Sequence, residues 1–143
     1  MSELAVLDTN VLLDFLDAAR PEHRAADEAV ALLLGRGAEI GVPATSLKDV
    51  YYLLTRRTGE ASARGAVKSL MSSTRLLAVD HAICQQAAAG PEPDFEDGLI
   101  MACAERAGAA WIVTRDKAAF HSGPVAKIDP VGLIETLRAA DED

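Results

Sequence analysis

Asp8 ends the apolar run "LAVLD", and three further segments offer acids in comparable settings: Asp49 in "TSLKDVYYLL", Asp94 and Asp97 in "DFEDGLIMACA", and Asp116 in "IVTRDK". A carboxylate that ends a buried segment loses hydration, so it stays charged only with donors, a cationic partner or a metal. Four or five carboxylates brought together raise one another's pKa, and a divalent cation relieves that repulsion. Ligation by oxygen alone, without clustered His or Cys, selects Mg²⁺ or Mn²⁺ over Zn²⁺. Such ions serve phosphate chemistry: they polarise a phosphoryl oxygen, lower the pKa of water and stabilise the leaving oxygen.

Each acid also has a local role open to it. Asp8 suits a helix cap, with Thr9 and Asn10 as alternatives. Asp49 completes a capping-box spacing from Ser46, as Asp97 does from Asp94. Asp116 suits a turn in "TRDK". Local roles do not explain why four distant segments would deliver acids to one place, so the elements that carry them decide the matter.

Short apolar strands alternate with helical stretches along the chain. "ELAVLD" (3–8), "EIGVP" (39–43), "RLLAV" (75–79), "AAWIVT" (109–114) and "VAKID" (125–129) read as strands. Between them lie the helices "NVLLDFLDA", "PEHRAADEAVALLLGRG" with Pro21 in its first turn, "TSLKDVYYLLTRR" opened by Thr45 or Ser46, and "EASARGAVKSLMSS". Asp80 suits the cap of the next helix, Gly108 the terminator of "DFEDGLIMACAERAG", and Asp129-Pro130 the start of the last. This pattern predicts one α/β domain over residues 1–143, a three-layer αβα sandwich around a parallel sheet of four to five strands with right-handed crossovers. Strand C-termini and helix N-termini then share one sheet edge, where ligands bind, and all five aspartates fall on it.

Bulk properties narrow the class. Hydrophobic residues make up 50% of the chain but aromatics only 4%, so the core is aliphatic. No run reaches the roughly 18 apolar residues a bilayer requires and no signal peptide opens the chain, which reads as cytosolic with no membrane partner. Cys84 and Cys103 lack metal-ligand spacing and read as reduced thiols. His23, His81 and His121 are scattered, "GRGAEIG" is a turn before a strand, and neither a Walker motif nor G-x-S-x-G occurs. The formal charge of −8 opposes nucleic-acid binding when taken alone. Its distribution softens the objection, because Lys48, Arg56, Arg57, Arg64, Lys68 and Arg75 face only Asp49 and Glu60 across residues 48–75, a local net of +4. That stretch is either a basic face or an ordinary solvated helix surface.

"LDTNVLLD", "PATSLKDVYYLLTRR", "DFEDGLIMACA" and "IVTRDKAAF" together, in that order and over nearly the whole chain, resemble the PIN-domain ribonuclease family, which includes the VapC-type toxins of toxin/antitoxin pairs. The resemblance implies an endoribonuclease dependent on Mg²⁺ or Mn²⁺, with Asp8, Asp49, Asp97 and Asp116 as catalytic and metal-binding acids. It implies support from Thr9, Asn10 and Thr114, with Asp94 as an auxiliary ligand or, preferably, the helix cap. Cleavage would leave 5′-phosphate and 3′-hydroxyl ends without help from the 2′-hydroxyl. Lys48, Arg56, Arg57 and Arg115, close in sequence to the acids, are candidates for steering the RNA backbone. A homodimer and a small antitoxin partner are further implications.

Two positions depart from the pattern. The second acid is commonly Glu in this family, and Asp49 is one methylene shorter. Gly98 stands where a small helix former such as Ala is expected, at a cost of roughly 1 kcal/mol of helix propensity. Rival readings are weaker. A haloacid-dehalogenase-like phosphatase needs a second Asp where Asn10 stands, and a phosphoacceptor receiver domain fits the acid pair poorly. A non-catalytic RNA- or partner-binding module would gain nothing from a repulsive carboxylate cluster.

Overall fold

The computed structural model describes residues 3–142. Leu4–Leu7 (β1) is buried at every position, which requires a covered sheet face on both sides. Its alternate residues supply the two halves of the core. Ala5 and Leu7 join a cluster with Val11, Leu12, Val30, Leu33, Val50, Leu70 and Leu133, whereas Leu4 and Val6 join Ile83, Leu99, Ile100 and Ile112. The period-two geometry of a strand therefore divides one apolar run between two helical layers.

The chain continues through Thr9–Leu16 (α1), His23–Gly35 (α2), Glu39–Pro43 (β2), Ala44–Thr58 (α3), Glu60–Ser73 (α4) and Arg75–Leu77 (β3). It then forms His81–Ala89 (α5), Phe95–Ala107 (α6), Trp111–Val113 (β4), Ala126–Ile128 (β5) and Pro130–Asp141 (α7). The sheet is five-stranded in the order β3-β2-β1-β4-β5, and every pairing is parallel, with Ala5 opposite Ile40 on one side and Trp111 on the other. Residues of α1, α2, α3, α4 and α7 pack into the first core cluster and those of α5 and α6 into the second, giving the expected αβα sandwich.

Several element ends follow the sequence signals. Asp80 accepts from the Ile83 amide, Asp94 from Asp97 and Asp129 from Gly132, each capping the helix it precedes. Gly108 ends α6 with φ 67°, the left-handed conformation that a glycine adopts without penalty.

Two starts differ. Pro21 lies outside α2, because Asp17 binds the amides of Ala19 and Arg20 and the Arg20 carbonyl accepts from His23, which holds the chain in a turn as far as Glu22. The third helix begins at Ala44 directly after β2, and neither Thr45 nor Ser46 caps it. The capping box between Ser46 and Asp49 is thus not formed. The strands expected over 75–79, 109–114 and 125–129 are also shorter than those runs, forming only Arg75–Leu77, Trp111–Val113 and Ala126–Ile128.

The structure gives Gly98 a reason that composition could not. A Cβ there would stand 2.9 Å from the Ala87 carbonyl oxygen and 3.2 Å from its Cα, so α6 crosses α5 at a distance only glycine permits. Gly98→Ala should therefore lower stability, by up to about 2 kcal/mol, because overpacking at roughly 1–3 kcal/mol exceeds the propensity regained. Gly65→Ala, in exposed α4 with nothing within 4 Å, should instead stabilise. Urea denaturation of both variants checks the opposite signs.

Candidate active site

The sheet order makes the connections diverge between β1 and β4, and Asp8 directly follows β1 at that point. Its amide donates to the Val113 carbonyl at 2.9 Å, extending the ladder by one bond and turning the carboxylate out at the sheet edge. The residue is only 7% exposed. Oδ1 accepts from the Thr9 amide at 2.8 Å, while Oδ2 accepts from the Thr114 hydroxyl at 2.7 Å and from Asn10 Nδ2 at 3.2 Å. Burial raises the Asp8 pKa, against the lowering effect of Thr114, Thr9 and Asn10, and the nearby Asp116 charge raises it further.

Thr114 and Asn10 also tie the end of β4 to the same carboxylate. Thr114, itself buried, accepts from the Asp116 amide at 3.0 Å while donating to Asp8, and Asn10 Oδ1 accepts from the Arg115 amide at 3.3 Å. The backbone carrying Asp116 is thereby held to Asp8 through two side chains. Asp116 Oδ1 accepts from the amides of Ala118 and Ala119, which hold its carboxyl below the usual range. The turn reading and the edge reading of this residue are both realised.

Asp8, Asp49, Asp94, Asp97 and Asp116 all line one cavity of about 590 Å³, together with Thr9, Asn10, Ser46 and Lys48. That is a size typical of ligand sites. Asp97 is pushed up to about 7, first by desolvation and then by the charges of Asp94, Asp8 and Asp116. Among the described residues, the only ion pair to any of these five carboxylates within 4 Å is a 3.7 Å contact from the exposed Lys48 to Asp49. Nor do three acidic, His or Cys groups already stand in a closed ligand set among the described residues. Unneutralised carboxylates spread around a cavity fit a cation bound from solvent, and oxygen-only donors fit Mg²⁺ or Mn²⁺.

The four basic candidates separate. Lys48 lines the cavity, whereas Arg56, Arg57 and Arg115 do not. Arg57 pairs with Asp17 at 2.6 Å, and Arg56 lies over the Tyr52 ring at 5.5 Å from its centroid. Arg115 turns to Asp14, giving Nε to Oδ2 at 2.6 Å and a terminal nitrogen to Oδ1 at 3.2 Å. Its guanidinium is therefore engaged with the scaffold, although Arg115 stands beside Asp116 in sequence.

Sequence reasoning passed over Asp14 and gave Ser46 only a capping role. Asp14 has a side chain 0% exposed and binds Arg20 at 2.9 Å as well as Arg115. The signal was an acid on the apolar stripe of α1, where Val11, Leu12 and Leu13 are its buried neighbours. Ser46 is buried in the cavity wall and accepts from the Thr9 hydroxyl at 3.4 Å. Cys103 is no rival nucleophile, since burial pushes its thiol up to about 11.

A PIN domain model matches residues 5–118. The chain belongs to the PIN domain family. Ribonuclease VapC1 of Aquifex aeolicus is 25% identical over 126 residues, covering 85% of this chain and 86% of that protein. Among solved structures, the VapC20 toxin of Mycobacterium tuberculosis, described as cleaving the sarcin-ricin loop, has a TM-score of 0.64 at 19% identity, over 78% of this chain and 89% of that one. FitAcB from Neisseria gonorrhoeae has a TM-score of 0.65 at 23% identity over 89% and 98%. The DNA-bound VapBC of Salmonella typhimurium has 0.65 at 16% over 91% and 99%. These structures share the fold of this PIN domain, and membership sets the chain apart from the phosphatase and receiver families.

Two expectations follow for the metal-free PIN domain. Asp97 has a folded pKa of about 7 against an ordinary 3.8, so the folded state binds the extra proton and stability falls as pH rises between those values. Denaturation midpoints above about pH 5, where the lowered carboxylates are already ionised, should decline toward neutrality in the parent and flatten in Asp97→Asn. An unchanged slope in the variant would refute the assignment. Asp14→Ala should cost about 2–3 kcal/mol in urea melts, because two partly exposed arginines lose a charged acceptor; a cost under about 1 kcal/mol would make the pair incidental.

Proposed function

We propose that this PIN domain is an endoribonuclease dependent on Mg²⁺ or Mn²⁺, the toxin of a pair whose antitoxin is a small protein. The observation that carries this reading is the cavity at the β1/β4 divergence, where Asp8, Asp49, Asp97 and Asp116 meet and, among the described residues, only Asp49 has an ion-pair partner within 4 Å, the exposed Lys48. A bound divalent ion would neutralise that charge, polarise the scissile phosphate and lower the pKa of water. Asp8, Asp97 and Asp116 are the ligands we assign, with Asp49 completing the set. Thr114, Asn10 and the Thr9 amide hold the Asp8 carboxylate in one orientation, so little rearrangement is needed when substrate arrives. Asp94 caps α6 through its bond to the Asp97 amide and acts on the site by placing that residue.

The ribonuclease relative in Aquifex aeolicus supports the reaction class, and a structural neighbour from Klebsiella pneumoniae described as a toxin–antitoxin complex supports the partner. A homodimer and a cytosolic location belong to the same reading; no helix among the described residues is long and apolar enough to cross a membrane. A non-catalytic RNA- or partner-binding module is the alternative that experiment must separate.

The deciding measurement is cleavage of a mixed tRNA and mRNA pool with Mg²⁺ or Mn²⁺, by the parent beside identically prepared Asp8→Asn and Asp97→Asn. The parent should give 5′-phosphate and 3′-hydroxyl ends and be stopped by chelator. Both variants should remain folded and lose at least about a hundredfold in rate, the scale of several kcal/mol of lost stabilisation. Mg²⁺ should raise the parent's Tm and leave that of Asp8→Asn unmoved. Equal cleavage by parent and variants would refute the proposed role of the acids.

A further inference from the structure

Aromatic side chains are scarce here, with 3 Phe, 2 Tyr and 1 Trp. Phe120 is buried, and Phe15, Tyr51 and Trp111 are partly so. Only Tyr52 at 60% and Phe95 at 50% stand exposed, and both line the cavity that holds the aspartates. They reach it from different elements, Tyr52 from α3 three residues after Asp49, and Phe95 from the first turn of α6 two residues before Asp97. The adjacent Tyr51 is spent on structure, its hydroxyl donating to Glu60 of α4.

An exposed ring gains nothing in folding from its own surface, so the location of both is informative. Their surroundings suit one kind of ligand. The Arg56 guanidinium lies over the Tyr52 ring, and Lys48 lines the same cavity one residue before Asp49. Flat apolar faces interleaved with cations, beside a site for phosphate chemistry, match a nucleotide strand, whose bases stack on rings while its phosphates meet the cations.

We propose that Tyr52 and Phe95 are stacking residues that seat unpaired bases of a single-stranded RNA at the rim of the acid cavity, with Arg56 and Lys48 attending the flanking phosphates. The inference rests on the nuclease reading and assigns the two side chains that meet the bases at that site. A base within a duplex offers no free face, so paired RNA is excluded from this seat.

The test uses a single-stranded oligoribonucleotide carrying 2-aminopurine, and the same strand annealed to its complement, titrated into the protein on the Asp97→Asn background so that the RNA stays uncut. Binding of the single strand should quench the probe. Tyr52→Ala and Phe95→Ala should each weaken binding by about 5- to 150-fold, the equivalent of one lost stacking contact of roughly 1–3 kcal/mol. Tyr52→Phe and Phe95→Tyr should restore both affinity and quenching, which a merely steric role would not require. Both positions are exposed, so their Ala variants should melt as the parent does.

Ala variants that bind and quench like the parent would overturn the inference, as they would if the rings instead cover a protein partner. Equal affinity for the duplex would overturn it too. Quenching that depends on the rings in a protein whose parent cuts no RNA would keep this inference and discard the nuclease. Cleavage by the parent that survives both Ala substitutions would do the reverse.

Discussion

Asp8 accepts from Thr9, Asn10 and Thr114, and those three bonds organise the rest of the site. They bind the end of β1 to the start of α1 and to the residue after β4, the two sides of the point where the sheet's connections diverge. A carboxylate this buried is tolerated only while its donors stay in place. The donors are in turn fixed by other bonds: Thr114 by the Asp116 amide, Asn10 by the Arg115 amide, Thr9 by contact with Ser46 of α3. Moving any of these strands or helices would strand a buried acid, so the fold and the site are held by the same contacts.

The acid placement was legible in the sequence because it depends on local rules. A strand that is apolar at every position, followed at once by Asp-Thr-Asn, is hard to read other than as a buried strand meeting a helix. Asp94, Asp129 and Gly108 likewise carry their conformations in their own chemistry. What escaped depends on partners distant in sequence. Arg115 looked free because Asp14 lies 101 residues away. Ser46 looked like a cap because Thr9, which it contacts, lies 37 residues away. Gly98 looked like a flaw in a helix because the backbone it must approach belongs to α5. Pro21 has the right chemistry for a first helical turn, but the bonds of Asp17 and Arg20 decided the start of α2 first.

The two buried acids of the first segment bear on whether missing neutralisation at the cavity is incidental. Asp14 and Asp8 lie six residues apart, one 0% exposed on its side chain and the other 7% as a residue. Asp14 receives two arginines at 2.6 and 2.9 Å, the pairing that buried charges show. Asp8 receives none, although Arg115 sits between Thr114, its strongest donor, and Asp116, which shares its cavity. A cation was therefore within reach of Asp8 in the chain and is committed elsewhere. The same chain that neutralises one buried carboxylate fully leaves its neighbour paired only to neutral donors, beside Asp97, whose pKa is raised by desolvation and by the surrounding acids. Neutral donors orient a carboxylate without satisfying its charge, which leaves both oxygens of Asp8 directed and electrostatically available. The uncompensated charge stabilises nothing in the folded chain by itself, and it is what a cation from solvent would complete.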